Sequence, residues 1–185
     1  ILHNAASLSF VATSEDSEPY RSNIKGVQNA LDLCQETGIK DFHHVSTAYV
    51  AGLRTGRIME SELDLGQQMS NPYEESKMAA EKLVRSAEFL SPPTIYRPSI
   101  IVGDSKSGFT STFHGFYACL ELAHTLVNSM GMVNSFAEGQ KKTRISLDGT
   151  ETKNFIPVDW VSEVITSIIT HPQHHGQTYH ITPRE

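Results

Sequence analysis

Tyr73 and Lys77 stand four positions apart in "NPYEESK", and Thr47 lies upstream in "HHVSTAYVAG". On a helix, residues four apart share one face. A phenol ordinarily titrates near ~10 and is a poor proton relay at neutral pH. An ammonium held beside it favours the phenolate and lowers that value. The spacing therefore suits a proton donor with an electrostatic helper. It equally suits a solvent-facing pair on an amphipathic helix. Six tyrosines and the lysines of this chain give roughly 0.26 chance matches to Y-x-x-x-K, so the pair alone is weak evidence.

Placement says more than spacing. Asn71 is a good N-cap, Pro72 suits the first helical position, and Glu74 completes a capping-box pattern. These residues predict a helix starting at Asn71, with Tyr73, Lys77, Ala80, Val84 and Ala87 on one stripe. Ser46 and Thr47 end a short strand predicted over Phe42 to Ser46. Open α/β sheets bind ligands at that carboxyl edge, where a small hydroxyl could bond a carbonyl oxygen. Strand-end capping explains the same residues. In "YRPSIIVGD", Pro98 breaks a second strand at the same edge.

The remaining elements alternate. A helix is predicted from about Tyr20 to Glu36, stopped by Gly38. Ala51 to Ser70 reads as a loop, and Thr110 to Ser129 as a helix. Gly131 to Lys153 is mostly loop with one strand, "TRISL". A helix follows over Val158 to Thr170, then a final strand, "QTYHITP". Alternating strands and helices predict an α/β fold with a mainly parallel sheet.

Composition narrows the function. The 185 residues suffice for one domain with a core, and the net charge is -6. Without a Lys/Arg block, nucleic acid and anionic membrane surfaces are disfavoured as partners. No apolar run spans a bilayer, and the first residues do not read as a signal peptide. Cys34 and Cys119 read as free thiols of a reducing compartment, and the protein is expected to be cytoplasmic. The adjacent pairs His43-His44 and His174-His175 lack a chelating spacing, so no metal is expected.

Taken together, and in order, these segments resemble the extended short-chain dehydrogenase/reductase family. "HNAA", His3 to Ala6, resembles the turn beside the adenosine half of the cofactor. Asn23 resembles the family's helix asparagine, and "VSTAYVAG" its hydroxyl position, placed at Thr47 with Ser46 the alternative. "YEESK" matches the Tyr-Lys pair. "YRPSIIVGD" resembles the segment whose Pro-Ser backbone lines the nicotinamide, and "NFIPVDWVSEVI" the Val-Asp helix. The stretch from "HVSTAYVAG" to "NPYEESKMAAEKLVR" is most similar to the thioester reductase and fatty acyl-CoA reductase branch.

The resemblance implies a Rossmann-like, doubly wound, mainly parallel sheet in a single domain over 1–185, with substrate-lobe segments at about 109–153 and 172–185. It implies catalytic Thr47, Tyr73 and Lys77. It implies cofactor contacts from His3, Asn4, Ala5, Ala6, Asn23, Ser46, Tyr73, Lys77, Arg97, Pro98, Ser99 and Ile100. The cofactor is expected to be NADP, with NAD the alternative. The substrate is expected to be an acyl thioester on CoA or a carrier protein, reduced to aldehyde or alcohol. A sugar-nucleotide epimerase or dehydratase with NAD is the rival. A non-catalytic dinucleotide sensor is a third reading, disfavoured by the Tyr-Lys pair.

One departure stands out. The family's glycine-rich phosphate turn, G-x-x-G-x-x-G, does not occur here. The chain is therefore expected to be a fragment lacking the N-terminal βαβ units, and to bind a dinucleotide poorly by itself. An unpaired apolar sheet edge would follow, compatible with a homodimer.

Overall fold

The computed structural model describes residues 1–111, 115–129 and 152–183. It divides into two compact units, Ile1–Val102 with Asn154–Glu185, and Gly103–Lys153.

In the first unit four parallel strands lie in the order β1-β2-β3-β6. They are β1 (Leu2–His3), β2 (His43–Val45), β3 (Thr94–Pro98) and β6 (Thr178–Ile181). The register sets His44 beside Ile95 and Val45 beside Tyr96, then Arg97 beside His180 and Pro98 beside Ile181. β3 is buried along its whole length. Its side chains alternate between the two faces of the sheet, as the strand pleat requires. Ile95 joins Val27, Leu31, Cys34, Phe42, Ala80 and Val84 on the face covered by α1 (Gly26–Thr37) and α2 (Pro72–Ser86). Tyr96 joins Ile156, Val161, Ile168 and Ile181 on the face covered by α4 (Val158–Ile169). Helices on both faces of a parallel sheet make the doubly wound, Rossmann-like arrangement expected from the sequence.

Several boundaries differ from expectation. The first helix opens with a wide five-residue π turn, Arg21–Lys25, before α1. The strand through "TIYRPSIIV" breaks at Ser99 into β3 and β4 (Ile100–Val102), and these belong to different sheets. β4 pairs in parallel with β5 (Phe155–Pro157), a strand not expected from the sequence. Residues 172–183, expected with the substrate lobe, lie in the first unit, where β6 pairs with β3.

The second unit contains α3 (Phe116–Ser129). That helix starts later than expected, directly after Gly115, whose φ of 58° is left-handed and cannot extend a helix backwards. The Gly103 N–H donates to the Tyr117 hydroxyl at 2.7 Å. "TRISL" lies outside the described residues. Among the described residues no helix is long and apolar enough to cross a membrane.

Candidate active site

α2 is the element that presents the Tyr-Lys pair, and its first turn is firmly capped. The Asn71 side chain accepts from the Glu74 N–H at 3.0 Å. Glu74 reaches back one residue further than a standard box, accepting from the Ser70 N–H at 2.8 Å. Tyr73, Lys77 and Glu81 then form one row at i, i+4 and i+8, turned towards the sheet.

The Lys77 ammonium is buried and donates to the Val45 carbonyl at 2.7 Å, where β2 ends. Burial pulls its pKa down to about 8, against the opposing charge of Glu81. Tyr73 lies above its ordinary value. Burial raises it most, the Thr47 hydroxyl contact lowers it, and Glu74 and Tyr49 add to the rise. The lowering expected from Lys77 is not among these influences, and the phenol stays protonated at neutral pH. The Phe10 ring stands edge-on to Tyr73 at 5.7 Å.

The strand pleat separates Ser46 from Thr47. Ser46 is turned to α2 and donates to Glu81 Oε2 at 2.7 Å. Thr47, in extended conformation, caps the short turn Ala48–Ala51 by accepting from the Tyr49 N–H at 3.3 Å. Its hydroxyl also reaches the Pro98 carbonyl at 3.5 Å. The turn closes at Gly52, where φ is 59° and a Cβ would sit 2.3 Å from the Gln68 carbonyl oxygen, so only glycine fits.

Beneath the site lies a buried ionic network that motif reading missed. Glu81 takes Arg97 Nη2 at 2.7 Å and Arg97 Nε at 3.1 Å, one guanidinium on both carboxylate oxygens. Arg85 adds a bond at 2.6 Å. Burial pushes the Glu81 carboxyl up, but Arg97 first, then Ser46 and Arg85, hold it below its usual value. The signal in the sequence is an acid placed one turn beyond Lys77 on a face that must be buried. Arg97 also donates to the Glu62 carbonyl at 2.8 Å, tying the 51–70 loop to the sheet. Ser46 and Arg97 therefore direct their side chains into this network, away from Tyr73.

The remaining expected cofactor residues collect along the same carboxyl edge. Asn4, Ala5 and Ala6 form an exposed segment after β1. Asn23 is buried and fully bonded: it accepts from the Ser7 N–H at 2.7 Å and donates to Ser7 O at 3.1 Å and Ser76 Oγ at 2.9 Å. It fastens Ser7, just after that segment, to Ser76 in α2. His3 stacks on His44 with centroids 5.5 Å apart. Burial, then the Lys77 charge, lowers its pKa. Ser99 donates its N–H to Ile181 O at 3.0 Å, and the Ile100 N–H bonds Asn154 O at 3.1 Å. Two polar atoms on this edge, Ser99 Oγ and His3 Nδ1, are buried with no hydrogen-bond partner among the described residues. Orphaned polar atoms of that kind suit a polar ligand laid along the edge.

The family model described as male sterility protein, an NAD-binding family, matches residues 1–165. The chain belongs to this family. It is an extended short-chain dehydrogenase/reductase of the thioester reductase branch. A solved relative, the terminal R domain from the myxalamid PKS-NRPS biosynthetic pathway, is 30% identical with a TM-score of 0.73, over 100% of this chain and 43% of that chain. The nonribosomal peptide synthetase asaC of Aspergillus flavus is 28% identical over 100% of this chain and 17% of its own length. The UDP-glucuronic acid 4-epimerase from Bacillus cereus in complex with NAD is 24% identical with a TM-score of 0.64, over 100% of this chain and 54% of that chain, a likeness of fold alone. The male sterility family member described here thus spans only part of the relatives it matches.

Proposed function

We propose that the protein carrying this chain reduces an acyl thioester, held on a carrier protein or CoA, with a reduced nicotinamide cofactor. The observation that carries this reading is the meeting of Tyr73, Thr47 and Lys77 at the carboxyl edge of a parallel sheet. His3, the 4–6 segment, Ser99 and the Pro98–Ile100 backbone would hold the cofactor, with NADPH the expected form. When bound, it supplies hydride to the thioester carbonyl carbon.

The chain's own groups manage charge and protons. Thr47 Oγ1 donates to the carbonyl oxygen as negative charge develops there. Tyr73, protonated at neutral pH, gives that oxygen its proton. Lys77, held by Val45 O, places its ammonium one helical turn away and stabilises the phenolate left behind. The collapsing adduct releases the thiol and an aldehyde.

The test is single-turnover reduction by the full-length protein. Carrier-bound acyl thioester and acyl-CoA are each mixed with NADPH or NADH, a UDP-sugar is mixed with NAD⁺, and reduced-nicotinamide absorbance and sugar conversion are followed. Net oxidation with a thioester supports the reading. Conversion of the sugar without net oxidation would replace it with the epimerase.

A further inference from the structure

At the opposite, amino edge of the sheet, Asp41, His43 and His175 converge. Asp41 precedes β2, His43 begins it, and His175 follows the short turn Pro172–His174 that leads to β6. β3 separates β2 from β6, so the register alone brings these distant residues together. Asp41 Oδ1 lies 3.4 Å from His43 Nε2 and 3.5 Å from His175 Nδ1. One ligand atom from each of the three falls within 4.8 Å of the others.

The second nitrogen of each ring has a partner of its own. His175 Nε2 sits 3.1 Å from Ile169 O, a pure acceptor, so that nitrogen carries a proton. Its Nδ1 faces a carboxylate oxygen of Asp41 at 3.5 Å. His43 Nδ1 lies 2.8 Å from the Tyr96 hydroxyl. With the proton on Nδ1, its Nε2 lone pair points at the same oxygen. With both facing nitrogens unprotonated, three acceptors face one point, an arrangement that a cation among them satisfies. Metal-binding histidines commonly have their second nitrogen held in this way.

The spacing fits a particular class of cation. Bonds of about 2.0–2.1 Å in a tetrahedral zinc site put neighbouring ligand atoms roughly 3.3–3.5 Å apart. The 3.4 and 3.5 Å from Asp41 to the two rings match that edge length, and the edge between the rings lies within 4.8 Å. Imidazole with carboxylate suits zinc and its neighbours rather than calcium or magnesium. The Asp41 side chain is 58% exposed, which leaves a route in and room for a water as fourth ligand.

We infer that Asp41, His43 and His175 bind a divalent transition metal of the zinc class, in a site separate from the candidate active site. The ion clips the start of β2 to the start of β6 across β3. This inference does not depend on the proposed reductase activity.

The protein is stripped with chelator and titrated with Co²⁺ and then Zn²⁺. Uptake of one Co²⁺ per chain with the visible bands of a tetrahedral site, displacement by Zn²⁺, and a Zn²⁺-dependent rise in melting temperature are expected. Asp41→Ala and His175→Ala should each weaken binding at least about 100-fold, a loss of the size second-shell changes already reach. Both positions are at the surface side of the cluster, whereas His43→Ala risks the fold. His171→Ala, outside the cluster, should leave the affinity unchanged. No stoichiometric uptake, or equal affinity in the Asp41 and His175 variants, would overturn the site and leave a proton-linked Asp-His pair.

Discussion

The Lys77 ammonium donates to the Val45 carbonyl at 2.7 Å, joining the middle of α2 to the end of β2. That bond fixes the helix against the strand whose next residues are Ser46 and Thr47. It therefore sets Tyr73, one turn earlier, beside the Thr47 hydroxyl.

Because burial holds Lys77 at about 8, its charge disappears as pH rises through that value. If the ammonium supports proton donation, kcat/KM for thioester reduction should fall roughly tenfold per unit above about pH 8. Lys77→Met should remove most activity at every pH. A profile that stays flat to about pH 10, the ordinary lysine range, would count against the role.

Ser46 and Thr47 are neighbours with different work. Thr47→Ala should lower kcat by about 10²–10³, the range for losing one oxyanion donor, and Thr47→Ser should recover most of it. Ser46→Ala should leave kcat within a few-fold and cost about 1–3 kcal/mol of stability through the bond lost to buried Glu81. Steady-state kinetics with urea unfolding on the same variants separates the two.

Arg97→Met leaves the Glu81 carboxylate buried with one fewer guanidinium. A destabilisation of about 3–5 kcal/mol is expected, as for other broken buried pairs. Arg97→Met with Glu81→Leu should recover much of that loss. An Arg97→Met variant as stable as the wild type in urea unfolding would show the network to be dispensable.

His44 is fully buried, and neither ring nitrogen has a hydrogen-bond partner among the described residues. Burial, then Lys77, His3 and Arg85, holds its pKa well below 6.5. The unfolded chain then takes up a proton on this ring near pH 6.5 while the native state does not. Stability from this group is present above that pH and lost as pH falls below it. His44→Phe should remove this acid limb and stabilise by about 1–3 kcal/mol, the cost of an unsatisfied buried polar group. Thermal melts between pH 5 and 8, the range over which an ordinary histidine changes charge, check it.

What was legible in the sequence was local or carried by motif order. The Asn71-Pro72 start of α2, the Gly38 stop of α1 and the break near Pro98 depend on backbone preferences of single residues. The Tyr73-Lys77 face follows from helical spacing. Glu81 with Arg97, and Asp41 with His43 and His175, depend on which strands lie side by side, and no spacing along the chain records that. The choice between Ser46 and Thr47 required the pleat of β2, and β5 is too short to announce itself by periodicity. The direction of the Tyr73 shift required its burial, which outweighs the lowering by the Thr47 hydroxyl.

In the proposed reaction Tyr73 delivers the proton. This role is tested most directly by Tyr73→Phe in the full-length protein, with carrier-bound acyl thioester and reduced nicotinamide cofactor mixed in a single turnover. Loss of cofactor oxidation by at least about 10²-fold, the lower end of a general acid's contribution, with an unchanged melting temperature is the expected result. Oxidation at the wild-type rate would contradict it.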